Sequence, residues 1–120
     1  MAIAGLFPGQ GSQSLGMLAE LAASFPVVTQ TFEQASQVLG RDLWQLAQGS
    51  DEKALNNTET TQPLMLAAGV AVWRVWQAQG GSVPVAVAGH SLGEYSALVA
   101  AAVLDFTEAV ALVSKRAQLM

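Results

Sequence analysis

The stretch VAVAGHSLGEYSAL (residues 85–98) decides how this sequence is interpreted. An apolar run leads into Gly-His-Ser-Leu-Gly, and an apolar, helix-like pattern follows. G-x-S-x-G is typical of a nucleophile elbow, a sharp turn between a strand and a helix that exposes the serine hydroxyl. The flanking glycines, Gly89 and Gly93, let the strand and the helix pass close together. The stretch therefore predicts strand, turn and helix, with Ser91 as the candidate nucleophile.

The same residues allow a second interpretation. Ser91 and Glu94 have the spacing of a capping box, in which a serine merely begins a helix. A simple cap would not need glycines on both sides, so the spacing favours the nucleophile while leaving the cap open.

A serine nucleophile needs a base, and the neighbourhood offers no convincing one. Adjacent side chains diverge at a strand end or sharp turn, so His90 should point away from the Ser91 hydroxyl. We expect His90 to pack or hydrogen-bond beneath the turn instead. Glu94 is suited to capping the helix.

The rest of the chain predicts an α/β fold. Residues 3–7 and 83–89 are apolar, strand-like runs, and the second has the character of a central parallel strand. Helices are predicted over residues 14–25, 26–39, 63–79 and 91–103, with short helical turns after Asp42 and Asp51. A last helix begins near Asp105 and continues to residue 120 without a stop signal. Two parallel strands do not make a stable sheet, so we expect this chain to be the N-terminal piece of a larger α/β protein.

Composition excludes several classes of protein. Charged residues make up 12% of the chain, the net charge is −4, and five scattered basic residues form no nucleic-acid-binding stripe. With no cysteine and one histidine, thiolate catalysis and a multi-histidine metal site are excluded. No apolar run is long enough for a membrane span and no secretory signal is evident, so we expect a soluble cytoplasmic protein without membrane or nucleic-acid partners.

Two further features have a structural and a functional interpretation, and the residues alone favour the structural one. FPGQGSQ (residues 7–13) follows the first strand and suits either an ordinary glycine turn or a loop presenting main-chain amides to an oxyanion. Arg116 suits either the C-terminal turn of a helix or the binding of a carboxylate.

Four segments together resemble the malonyl-CoA:acyl-carrier-protein transacylase family of bacterial-type fatty acid synthesis. They are FPGQGSQSLGM (7–17), TTQPLMLAAGVAVWRVW (60–76), AGHSLGEYSALVAAAVLDFTEAVALV (88–113) and KRAQLM (115–120). The resemblance implies an α/β-hydrolase-like parallel-sheet core of which residues 1–120 are the N-terminal part. It places an inserted ferredoxin-like subdomain and a C-terminal part outside this chain.

The resemblance also implies roles for individual residues. Ser91 matches the serine that carries the malonyl group as an ester. Gln10 and Leu92 match the positions whose backbone amides form the oxyanion hole. Arg116 matches the arginine that pairs with the free malonyl carboxylate. The family's base is a histidine further along than residue 120.

The implied reaction is ping-pong transfer of a malonyl group from malonyl-CoA to acyl carrier protein, without metal or cofactor. Three alternatives remain. They are a polyketide-type acyltransferase, a generic serine esterase, and a non-catalytic interaction module if 120 residues are the whole protein. The polyketide alternative is disfavoured because Met1 stands just ahead of FPGQGSQ, as in a stand-alone enzyme. The 120-residue piece is expected to be inactive alone.

Overall fold

The computed structural model describes residues 2–120 and shows a small parallel sheet packed against helices. Strands β1 (Ala4–Phe7) and β2 (Ala86–Gly89) pair in parallel, with Ala4 opposite Ala86 and Phe7 opposite Gly89. The mixed α/β architecture and both strands are confirmed, although β2 starts three residues later than predicted.

Seven helices complete this part of the chain: α1 (Ala19–Ser24), α2 (Val27–Leu39), α3 (Leu43–Gln48), α4 (Glu52–Asn56), α5 (Thr58–Ala78), α6 (Gly93–Ala100) and α7 (Phe106–Gln118). The predicted caps are present at three of them, because Asp42, Asp51 and Asp105 accept hydrogen bonds from the backbone N–H three residues on. The first helix is shorter than predicted, since Leu18 takes a left-handed conformation immediately before it (φ 64°).

Helix α5 is the centre of the fold, and its predicted start at Pro63 is wrong. The helix begins at Thr58, with Asn57 Oδ1 accepting from Glu59 N at 2.9 Å. Pro63 therefore lies inside the helix, where it cannot donate to the Glu59 carbonyl. Arg41 Nη1 donates to that carbonyl instead (3.2 Å), so the helix tolerates its proline.

The core lies where α5 meets α2 and α7. Its fully buried large side chains include Val28 and Phe32 of α2, Leu64, Leu66 and Val70 of α5, and Val110 and Val113 of α7. One face of the two-stranded sheet lies outside this core, and Leu6 there is 80% exposed. No helix within residues 2–120 has the length and hydropathy that a membrane span requires.

Candidate active site

Ser91 lies at a strained corner between β2 and α6. Its φ is +54°, a left-handed conformation that non-glycine residues rarely adopt. The side chain is exposed, and α6 starts two residues later at Gly93. Glu94 N donates to the Ser91 backbone carbonyl (3.1 Å) and not to its hydroxyl, so the capping-box interpretation does not describe this helix start. Strain of this kind is typical of functional positions.

The two glycines of the motif are required by backbone packing. A Cβ on Gly89 would lie 1.9 Å from the Gly93 carbonyl oxygen, and one on Gly93 would lie 2.1 Å from the Phe7 carbonyl oxygen. Backbone therefore meets backbone at the ends of both strands. These contacts fix the position of the corner relative to the sheet.

The loop after β1 packs directly on the same corner. A Cβ on Gly9 would lie 2.7 Å from the His90 carbonyl oxygen and 3.8 Å from the Leu92 backbone nitrogen. Gln10 follows Gly9, and its side chain turns to the start of α5, where Nε2 donates to Thr58 Oγ1 (3.0 Å). Leu92 has a fully buried side chain. The structure thus brings the loop that contains Gln10 together with the segment that contains Ser91 and Leu92.

Arg116 reaches the corner from the last turns of α7. Its Nη2 donates to Ser91 Oγ at 3.2 Å, and its guanidinium lies over the Tyr95 ring, 5.7 Å from the centroid. The residue is partly buried. A guanidinium donates through two parallel N–H groups, which suits the binding of a carboxylate held next to Ser91.

Gln62 is a site residue that sequence reasoning missed. Its side chain is fully buried on α5, and Oε1 accepts from Arg116 Nη1. Its Nε2 lies near the sulfur of Met120. A signal was present in the sequence, because Gln62 is a lone amide at the start of an apolar run. It was overlooked because the predicted helix began one residue after it.

Within residues 2–120, no side chain that could act as a base forms a hydrogen bond with the Ser91 hydroxyl. His90 is exposed rather than packed beneath the turn, which corrects that expectation, and its imidazole makes no hydrogen bond within residues 2–120. The hydroxyl's partner in this part of the chain is Arg116, and a guanidinium can only donate. Residues 2–120 hold no group of three or more potential metal-ligating side chains.

A second partly buried arginine has a structural role away from Ser91. Arg74 Nη1 donates to Thr31 Oγ1 and Gln34 Oε1, and its guanidinium lies 4.8 Å from the Phe106 ring centroid. Burial lowers the pKa of Arg74, and the nearby Asp105 carboxylate partly opposes that shift. Arg74 therefore joins α2, α5 and α7.

Comparisons with known proteins identify the family of this chain. The model of the acyl transferase domain family matches residues 6–120. The malonyl CoA-acyl carrier protein transacylase of Salmonella typhimurium is 59% identical over 115 residues, which are 96% of this chain and 37% of that protein.

Two solved structures superpose closely. The acyl carrier protein S-malonyltransferase of Vibrio cholerae has a TM-score of 0.98 at 58% identity, covering 100% of this chain and 39% of that one. A malonyl-transacylase in complex with its type II polyketide acyl-carrier protein has a TM-score of 0.97 at 61% identity, covering 99% of this chain and 38% of that one. The chain thus spans less than two fifths of the length of each of these proteins.

Proposed function

The chain belongs to the acyl transferase domain family, and we propose that it is part of an enzyme that moves a malonyl group from malonyl-CoA to acyl carrier protein. The observation that carries this proposal is the pairing of an exposed, strained Ser91 with a guanidinium 3.2 Å from its hydroxyl. An esterase for neutral acyl groups has no use for a fixed cation at that position. An enzyme for acyl groups that end in a carboxylate needs such a cation, because the cation pairs with the carboxylate.

The proposed reaction has two halves. Ser91 Oγ attacks the thioester carbon of malonyl-CoA and loses its proton to a base, and the C–S bond breaks as coenzyme A leaves as a thiol. The phosphopantetheine thiol of the carrier protein then gives its proton to the base and attacks the carbonyl carbon of the seryl ester. A new C–S bond forms, the C–O bond to Ser91 breaks, and Ser91 Oγ takes the proton back from the base.

The amides of Gln10 and Leu92 would stabilise the negatively charged oxygen in both halves. The contact of Gly9 with the Ser91 corner supports this role, since it brings the two segments together. Arg116, held by Gln62, would bind the malonyl carboxylate and disfavour acyl groups that leave the guanidinium unpaired.

We further propose that residues 1–120 are the N-terminal part of a larger α/β-hydrolase-like core. The inserted ferredoxin-like subdomain, the C-terminal part and the base would then lie outside this chain. Two observations support this: the relatives are more than twice as long, and Leu6, Val83 and Val85 near the sheet are 73–88% exposed. On this account the enzyme acts in the cytoplasm and requires no metal or cofactor beyond its thioester substrate.

A polyketide-type carrier protein is the second candidate acceptor. It is favoured by the 61% identity to a malonyl-transacylase solved with a type II polyketide carrier protein. The chemistry at Ser91 would be the same for both carriers.

The experiment uses the full-length protein that contains this chain. The protein is incubated with malonyl-CoA or acetyl-CoA, quenched in acid, and the mass of the peptide containing Ser91 is measured. We expect a malonyl adduct with the first thioester, little acetyl adduct with the second, and neither in Ser91→Ala. An absent malonyl adduct, or one that persists in Ser91→Ala, would refute the proposal.

A further inference from the structure

The loop after β1 is held by a glutamine that the proposed chemistry does not use. Gln13 Oε1 accepts from Gly11 N at 2.8 Å, and its Nε2 donates to Asn56 Oδ1 at 2.8 Å. Gly11 has a φ of +111°, so the chain turns sharply there. One side chain therefore closes the turn after Gln10 and ties it to the end of α4.

The same loop is also attached to Thr58, two residues after Asn56 at the junction of α4 and α5. Gln10 Nε2 donates to Thr58 Oγ1, the first residue of α5, while Asn57 between the two attachment points caps that helix. On its opposite side the loop meets the Ser91 corner through Gly9. The backbone of Gly9 and Gln10 is thus confined between the α4–α5 junction and the corner.

We propose that Gln13 is a positioning residue for the oxyanion hole, acting through the Gly11 amide and Asn56 to hold the Gln10 backbone beside Ser91. This inference rests on the proposed function. Within residues 2–120 the hydrogen bonds of the Gln13 side chain go to Gly11 N and Asn56 Oδ1, and none goes to Ser91. Its effect is to fix the orientation of an amide donor before the reaction begins.

The physical reason is that an oxyanion donor is effective only when it is already oriented. A reoriented donor forfeits part of the 10²- to 10³-fold effect that one such group typically has on kcat. The negatively charged oxygen forms in both half-reactions, so a displaced donor slows both by a similar factor. A residue that bound coenzyme A or the carrier protein would instead affect one half-reaction, or KM.

The test compares three variants of the full-length enzyme with the parent. Gln13→Ala removes both hydrogen bonds. Gln13→Glu keeps the acceptor for Gly11 N–H, and the Asn56 amide can rotate to donate to the carboxylate. Gln37→Ala is the matched control, since Gln37 is an exposed glutamine on α2 whose side chain makes no hydrogen bond within residues 2–120.

Malonyl loading onto Ser91 is measured by acid-quenched single turnovers. Release is measured by transfer from the preloaded enzyme to holo-acyl carrier protein. For Gln13→Ala we expect both rates to fall about tenfold, with KM for malonyl-CoA within about twofold of the parent. Gln13→Glu should recover to within about threefold, and Gln37→Ala should match the parent.

Asn56→Ala removes only the hydrogen bond from Gln13 Nε2 and replaces Gln13→Ala in the test if that variant folds poorly. It should slow both half-reactions equally, and by less than Gln13→Ala. Unchanged rates, a change confined to KM, or slowing of only one half-reaction would overturn the inference. A parent enzyme that forms no malonyl adduct would instead refute the proposed function, so the two failures are distinguishable.

Discussion

Replacing Gly89 with alanine should displace the corner that presents Ser91. The added Cβ would lie 1.9 Å from the Gly93 carbonyl oxygen, 2.0 Å from its carbonyl carbon and 2.5 Å from Glu94 N. All three obstacles are backbone, so no side chain can rotate away. To reach even the 3.0 Å below which Cβ contacts essentially never occur, β2 and the first turn of α6 must separate by about 1.1 Å.

A separation of this size should lower both the stability of the protein and its rate of malonyl loading. Overpacking of this kind destabilises proteins by about 3 kcal/mol, the upper part of the usual range, when the obstructing atoms cannot yield. A catalytic group displaced by about 1 Å can cost about 100-fold in rate. We therefore expect Gly89→Ala in the full-length protein to load malonyl groups about 100-fold more slowly, in addition to being destabilised.

The assay pairs the rate of malonyl loading with the melting temperature. Gly40→Ala is the control, since Gly40 has a φ of +67° and a Cβ added there would meet no atom within 4 Å. It should cost about 1–2 kcal/mol through backbone strain alone and leave the loading rate per folded molecule unchanged. The packing argument would be refuted if Gly89→Ala had the same melting temperature as Gly40→Ala and kept more than half of the parent's rate of malonyl loading.

Three further predictions concern the full-length protein. Gln62→Leu removes the Arg116 partner and should lower malonyl loading about tenfold with acetyl loading within about twofold, by the quenched-adduct assay; equal losses would contradict it. Ser96→Ala should raise stability by about 1 kcal/mol in urea unfolding, because the buried Ser96 hydroxyl has no partner within residues 2–120; a loss would contradict it. Hydrogen bonds from Thr107 and Glu108 N lower the pKa of Asp105, so its stabilisation is complete above the unfolded pKa and lost as pH falls through the folded one. Asp105→Asn should flatten that part of the acid-unfolding profile, and an unchanged profile would contradict this.

Local sequence patterns predicted the elements around Ser91 well. The strand, the sharp turn and the helix follow from an apolar run, paired glycines and a helical pattern within fourteen residues. Three aspartate caps were also predicted correctly, since a cap involves only the next three residues. Because these interactions involve residues close together in the chain, they can be predicted from local sequence patterns.

The errors arise where distant residues decide the structure. Pro63 signals a helix start, but Arg41 satisfies the Glu59 carbonyl that the proline leaves free, and α5 begins five residues earlier. The contact between Gln62 and Arg116 joins residues 54 positions apart. No local sequence pattern predicts the contact between Gln62 and Arg116. A role for Arg116 beside Ser91 was anticipated only through the family resemblance, because the residue alone favoured a cation at a helix end.

We propose that Arg116 selects an acyl group carrying a carboxylate for transfer through Ser91. The most direct test is the ratio of malonyl to acetyl loading on Ser91, measured in the full-length parent and in Arg116→Ala. A paired, partly buried carboxylate contributes about 3 kcal/mol, so malonyl loading should fall about 100-fold in the variant while acetyl loading stays the same or rises. An equal fall in both rates, leaving the ratio unchanged, would contradict the account.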